Sequence, residues 1–178
     1  SCIQEAAYPE ALEWLKKAME IQEKVLIPQH PDLALTYNHI GLDYYYTERY
    51  DEALVNFFRA FHIQEKVLEK GHYDMVATCN NIGMVYYYKG EYEKSLGWCR
   101  RALEGQDESG HMPPDMIMVY CHMGLICEAL GNHERAVALC QKAYDLMEAQ
   151  FGPHHPYLSV IKENLQELPW FIVESDEL

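Results

Sequence analysis

Positive charge is scarce in this chain: 14 Lys and Arg stand against 28 Asp and Glu, a formal net charge of −14 over 178 residues. Such a surface repels phosphate backbones, which argues against a nucleic-acid groove and favours basic or neutral partners. Long apolar runs are missing as well, so no segment is expected to enter a membrane. There is no basic-then-apolar leader, and the opening at Ser1-Cys2 without Met reads as an excised piece. The six cysteines (Cys2, Cys79, Cys99, Cys121, Cys127, Cys140) lack the spacing of a secreted disulfide framework. Four of them fall at apolar helix positions, where Cys acts as a small hydrophobe, so reduced thiols and a cytoplasmic protein are expected. The motifs of catalysis are also missing: no phosphate-cradling Gly loop, no Gly-x-Ser-x-Gly, no His-Glu-x-x-His. Neither an enzyme nor a cofactor is expected. His111, Cys121, His122 and Cys127 match no standard zinc spacing, so no metal site is expected either. Paired carboxylates such as Glu10 and Glu13 fall on a helix face that should be solvated.

What is present is an ordinary folded composition, 49% hydrophobic and 24% charged, enough for one core or for an elongated array of small units. An internal repeat decides between them. Tyr8-Pro-Glu-Ala-Leu12 returns as Tyr50-Asp-Glu-Ala-Leu54, Tyr92-Glu-Lys-Ser-Leu96 and His133-Glu-Arg-Ala-Val137, at offsets of 42, 42 and 41 residues. Ile40-Gly41, Ile82-Gly83 and Met123-Gly124 keep the same period, as do Ala18, Ala60, Ala102 and Ala143. The one-residue deletion falls within Gly105–Pro114, a stretch suited to a loop. Inside each unit the apolar residues follow helical spacing, as at Leu54, Phe57, Phe58 and Phe61. His30-Pro31-Asp32, His72-Tyr73-Asp74, Pro113-Pro114-Asp115 and His155-Pro156-Tyr157 sit at matching helix starts, where a proline loses nothing. That recurrence makes His30, His72 and His155 turn or cap residues rather than ligands. Gly90 and Gly131 mark helix reversals, and Glu48 holds the equivalent place, so that turn must close without glycine. The Gly and Ala sets let neighbouring helices approach closely, as in a solenoid that buries a continuous core between units.

The run Tyr37, Ile40-Gly41, Tyr44, Ala53, Phe57, Ala60 resembles the tetratricopeptide repeat. That repeat ordinarily spans about 34 residues, so each unit here carries about 8 more, roughly two helical turns. The long form, with Ala18-Met-Glu-Ile-Gln-Glu-Lys-Val-Leu26, His30-Pro31-Asp32 and Asn80-Asn81-Ile82-Gly83, is similar to the kinesin-light-chain type. The resemblance implies an all-α fold, a tetratricopeptide-type α-solenoid wound as a right-handed superhelix of antiparallel helix pairs. The expected helices cover 8–27, 31–47, 50–69, 73–89, 92–107, 113–130, 133–150 and 156–167. The first repeat is partial (8–27), full repeats span about 31–70, 73–108 and 113–151, and the polar helix 156–167 reads as a cap. The partial first repeat suggests that the native protein extends further toward the N-terminus.

The resemblance also implies a concave groove, lined by the first helix of each pair, that receives a protein or peptide. Its inward positions would be Leu35, Asn38, His39, Leu42, Tyr45 and Tyr46; then Ala77, Asn80, Asn81, Met84, Tyr87 and Tyr88; then Met118, Cys121, His122, Leu125 and Glu128, with Asn164 from the cap. Asn presents donor and acceptor together and suits a peptide backbone. Tyr adds rigid contact area with a polar tip. Tyr44 and Tyr86 fall on the core stripe instead. No inward position is Lys or Arg, which disfavours a clamp for a C-terminal carboxylate and favours an apolar, aromatic or basic segment. A structural or regulatory arm of a larger protein is the alternative reading. The tail 169–178 holds Trp170, Phe171, Ile172 and Val173, too apolar to wave in water. It is expected to fold back on the last helix, or else to meet another molecule and support self-association. Its Ser-Asp-Glu-Leu ending resembles a retrieval signal, which without a leader is taken as chance.

Overall fold

The computed structural model describes residues 2–104 and 112–167. Among them are eight α-helices and no strand: α1 (Cys2–Val25), α2 (Pro31–Tyr46), α3 (Tyr50–Val67), α4 (Tyr73–Tyr88), α5 (Tyr92–Ala102), α6 (Pro114–Ala129), α7 (His133–Phe151) and α8 (Pro156–Glu167). The hairpins α2/α3, α4/α5 and α6/α7 pack most extensively, and the even-numbered helices lie side by side along one face. This is an α-solenoid of the tetratricopeptide type.

The helix starts explain themselves chemically. His30 Nδ1 accepts the Asp32 N–H at 3.2 Å, His72 Nδ1 that of Asp74 at 3.3 Å, and His155 Nδ1 that of Tyr157 at 3.3 Å. Each imidazole thus satisfies a donor that the first turn leaves orphaned. The reversals between paired helices also repeat: the N–H groups of Arg49, Glu91 and Asn132 reach back to the carbonyls of Tyr44, Tyr86 and Cys127 at 2.8–2.9 Å. That closure needs a left-handed residue just before it. Gly90 and Gly131 supply it at φ 75° and 76°, and Glu48 accepts φ 59° without the freedom of glycine.

Close approach in the pairs α2/α3 and α6/α7 has one recurrent cause. A methyl group on Gly41 would stand 2.6 Å from the Phe57 ring, and one on Gly124 would stand 2.4 Å from Cys140 Sγ and 3.0 Å from the Ala136 carbonyl. Helix backbones meet there because the side chain is missing. A continuous core runs from Ile40 and Phe57 through Ile82, Val85 and Cys99 to Ile117, Ile126 and Met147, and ends on Leu158, Ile161 and Leu165 of α8. The polar cap helix therefore has an apolar underside. Cys79, Cys99, Cys121, Cys127 and Cys140 are buried free thiols within that core.

Two helix bounds differ from the spacing-based expectation by more than two residues. The first helix starts at Cys2 instead of residue 8, because Cys-Ile-Gln-Glu-Ala-Ala contains no breaker and the helix continues through Pro9. The fifth stops at Ala102 instead of 107: the N–H groups of Leu103 and Glu104 fold onto the carbonyls of Arg100 and Arg101 at 3.1 Å, tightening the last turn. The tail 169–178, most of the Gly105–Pro114 stretch that holds the deletion, and His111 lie outside the described residues.

Candidate functional site

The even helices α2, α4, α6 and α8 form the face on which the inward positions fall. Two adjoining hollows open there. The first, of about 200 Å³, lies between α2 and α4 and is lined by Leu42, Tyr45, Tyr46, Asn80, Asn81, Met84 and His122, with Phe57 behind them. The second, of about 340 Å³, lies between α4, α6 and α8, and is walled by Ala77, Met118, Asp115, Tyr157 and Val160. Asn80, Asn81 and His122 border both, so the two hollows share a polar centre, and the second has the more apolar walls. Seven of the eighteen inward positions expected from sequence meet in the first hollow. Neither hollow is lined by Lys or Arg.

A second pattern runs beneath the groove. Asn38 Nδ2 donates to Thr78 Oγ1 at 2.6 Å, His122 Nδ1 and Asn80 Oδ1 meet at 2.6 Å, and Asn164 Nδ2 donates to Cys121 Sγ at 3.2 Å. These bonds link α2 to α4, α4 to α6 and α8 to α6, one polar rung per junction. Asn38 is 8% exposed, turned into the seam between helices rather than toward the open groove. Asn164 likewise holds α8 in place. The Asn81 side chain, by contrast, makes no hydrogen bond to the described residues and is half-buried. Asn80 has its amide N–H groups left over. Burial holds the His122 imidazole near a pKa of about 4, so at neutral pH it is an uncharged hydrogen-bonding group.

Tyrosines build the C-terminal end of this face. Tyr45 meets Tyr46, Tyr50 and Tyr88 at ring-centroid distances of 5.3, 6.2 and 5.7 Å, and Tyr87 meets Tyr88 and Tyr92 at 5.4 and 5.7 Å. Tyr50 stacks on Tyr88 at 6.1 Å. Burial, with the neighbouring Tyr88 hydroxyl, pushes the Tyr45 phenol well above its ordinary pKa. Tyr46 and Tyr88 keep more than half of their surface open to solvent. His39 is exposed beside Asp43 on α2, and Leu125 is half-buried on α6. Tyr44 is buried and Tyr86 half-buried, both on the core side. Glu128 is held by His133 Nδ1 at 2.8 Å and points to the following turn.

Sequence reasoning missed Asp115, Tyr157 and Val160. The signal for the first two lay in the recurring helix starts, taken only as caps: Asp115 stands at the place of Asp32 and Asp74, and Tyr157 takes that place in α8. Tyr157 Oη–H donates to Asp115 Oδ1 at 3.1 Å and closes the second hollow. Among the described residues no three His, Cys, Asp or Glu side chains gather as metal ligands. Cys121 faces Cys140 and Asn164, while its neighbour His122 faces Asn80. Nor is any helix among the described residues long and apolar enough to cross a membrane.

Two family models of the tetratricopeptide repeat match the sequence, one over residues 2–66 and 115–165, the other over 76–106. The chain belongs to the tetratricopeptide-repeat family. Among solved structures, this tetratricopeptide protein is similar to nearly identical TPR-like repeats ascribed to a kinesin light chain of Podosopora anserina. That likeness has 19% identity and a TM-score of 0.72 over 90% of this chain and 77% of the other. BtubC (BKLC) of P. vanneervenii is 19% identical with a TM-score of 0.74, over 84% of this chain and 60% of that one. The Rap conjugation gene regulator of plasmid pLS20, solved with the Phr* peptide, is 15% identical with a TM-score of 0.66, over 92% and 48%. At such identities the likeness is one of fold. Curated protein sequences give no match.

Proposed function

We propose that this tetratricopeptide protein is a passive interaction scaffold that holds an extended segment of a partner protein in the groove of its even helices. The observation that carries the reading is the polar centre shared by two adjoining hollows, with apolar side chains on either side of it. Asn81 and the free N–H groups of Asn80 offer hydrogen bonds to a main chain, while Leu42, Tyr45, Tyr46 and Met84 on one side and Met118, Tyr157 and Val160 on the other offer apolar contact. His39, Tyr87, Tyr88 and Leu125 extend this surface, and Asn38, Asn164 and His122 keep its floor rigid. A groove assembled in advance spares the ordering cost that a flexible binder bears. With no cation lining the two hollows and a net charge of −14, apolar, aromatic or basic segments are the preferred guests. Buried free thiols, with Cys121 Sγ–H donating to Cys140 Sγ at 3.8 Å in place of a disulfide, fit a reducing, cytoplasmic setting. The protein of known structure bound to the Phr* peptide shares this fold, which is consistent with a peptide guest.

The test is a random-peptide display selection on the wild type and on Asn81→Ala in parallel. A consensus enriched on the wild type and weakened on the variant supports the groove. A selection that enriches nothing on either protein removes the reading.

One observation favours a second reading, an arm packed against another part of a larger protein: α1 exposes Trp14, Ile21 and Val25 on one apolar face, continued by Ile27. Concentration-dependent self-association by light scattering, abolished by polar replacements at Ile21 and Val25, would point to that role.

A further inference from the structure

The C-terminal ends of α2 and α4 and the start of α3 meet in the tyrosine cluster, which adjoins the first hollow through Tyr45. Tyr88 lies at its centre. Tyr50 stacks on it with ring planes 13° apart, Tyr45 meets it edge-on, and 53% of the Tyr88 surface still faces solvent. Rings held rigidly by one another and left open to water are a ready contact surface, with little further ordering cost on binding.

Charge decides what this surface fits. The protein commits many of its cations to other rings: Arg59 lies over Tyr37 at 5.5 Å, Arg49 over Tyr44 at 4.6 Å, Lys94 over Tyr86 at 5.3 Å and Lys142 over Tyr120 at 4.1 Å. Among the described residues no cation lies over the rings of Tyr45, Tyr50 or Tyr88. Arg49 and Lys89, next to Tyr50 and Tyr88 in sequence, are held by Glu52 and Asp51. Neither α2 nor α4 has a basic residue in its last turn, so the negative ends of both helix dipoles point here without a counter-charge. Glu48 is the informative residue. Its backbone sits at φ 59°, where the later repeats place Gly90 and Gly131, and any side chain there is unfavourable. What that side chain adds is an exposed carboxylate at the rim of the cluster, with no ion pair among the described residues. Burial and the nearby Glu48 carboxylate together raise the pKa of the Tyr50 phenol.

We propose that the tyrosine cluster receives an arginine side chain of the segment bound in the groove, with the guanidinium against the rings of Tyr50 and Tyr88 and its edge turned to Glu48. A guanidinium suits the place because its face stacks on an aromatic ring while its N–H fork donates to the two oxygens of one carboxylate. Lysine is a poorer match, since its compact, strongly hydrated ammonium has no face to stack. Proline or phenylalanine covers the rings but brings no donor to Glu48. The inference rests on the groove reading for the delivery of the arginine, while its recognition can be tested alone.

The experiment is a two-dimensional NMR titration of the full 178-residue chain with N-acetyl-arginine N-methylamide, set beside the uncharged citrulline amide of nearly the same shape. Saturable shifts of the Tyr50 and Tyr88 ring signals are expected with the arginine probe. The citrulline probe should bind about tenfold more weakly, having lost the cation–π and ion-pair attractions together. Glu48→Gln should weaken arginine binding about threefold and leave citrulline unchanged. Glu48→Gly should lose the same factor while raising the urea midpoint, because glycine relaxes the left-handed turn, so misfolding cannot account for the loss. No saturable response, equal responses to both probes, or an unchanged arginine affinity in both Glu48 variants overturns the inference. The groove reading fails separately. A display selection that enriches peptides without arginine, alongside a negative titration, leaves the groove standing and removes the arginine seat. A selection that enriches nothing, alongside a positive titration, removes the groove and keeps the seat.

Discussion

Gly41, Gly83 and Gly124 hold one repeat position, yet adding a methyl group to each should give three different results. At Gly83 the nearest atom to a new Cβ is Cys99 Sγ at 3.4 Å, an ordinary contact. Gly83→Ala therefore keeps most of the helix-propensity gain, up to about 1 kcal/mol. At Gly124 the same methyl falls 2.4 Å from Cys140 Sγ and 3.0 Å from the Ala136 carbonyl, both on the fully packed α7. Overpacking of this kind costs about 1–3 kcal/mol, so the variant should be less stable despite better propensity. Gly41→Ala meets the Phe57 ring at 2.6 Å, and that ring is completely buried and has no room to swing, so a loss of similar size follows. Urea unfolding followed by circular dichroism ranks the three. A Gly124→Ala/Cys140→Ala cycle adds a sharper check: removal of the sulfur relieves the worst clash, so a favourable coupling of about 1 kcal/mol or more is expected. Equal losses at all three glycines, or no coupling with Cys140, would refute close approach as their reason for being there.

Two further outcomes follow from charge. Asp43 stands where the next repeats place the buried Val85 and Ile126; burial raises its pKa, and its Oδ2 has no partner among the described residues. Asp43→Val should stabilise the protein by about 1 kcal/mol at pH 7. The advantage should shrink in acid, because the folded wild type takes up a proton there more readily than its unfolded chain. His122 works in the opposite sense. Its folded pKa of about 4 lies below the unfolded value near 6.5. Stability is therefore complete above pH 6.5 and lost as pH falls toward 4, by up to about 3 kcal/mol, less what groove water screens. His122→Gln should flatten that part of the pH–stability curve, and an unchanged slope in urea titrations from pH 7 to 4.5 would contradict the assignment.

The period of the sequence made the architecture legible because three sets of landmarks carried it independently. The histidine caps and the left-handed turn at Glu48 were legible for the same reason: a repeat shows which position an odd residue is substituting. The groove was legible only in part. Leu42, Tyr45, Tyr46, Asn80, Asn81, Met84 and His122 gather as helical spacing implies. Asn38 occupies the same repeat position as Asn80, yet Thr78 across the seam captures its amide, and no periodicity reveals a bond to a residue 40 positions away. Asn164 is taken by Cys121 in the same manner. Spacing locates a face of a helix, whereas the neighbouring helix decides whether a polar group on its border points into the seam or out of it. Tyr157 and Val160 went unread because α8 looked like a polar lid, and its groove-facing wall emerges only once the helix is docked.

The most direct test of the account separates the floor of the groove from its working surface. A peptide obtained by selection on the wild type would be titrated by fluorescence anisotropy against Asn38→Ala and Asn81→Ala, with urea unfolding of both. Asn81→Ala should weaken binding about five- to tenfold at unchanged stability, the worth of one or two main-chain hydrogen bonds. Asn38→Ala should lower stability by about 1 kcal/mol, since its bond to Thr78 lies in the seam, and leave affinity nearly intact. The reverse pattern, binding lost at Asn38 and untouched at Asn81, would contradict the groove as it is drawn here.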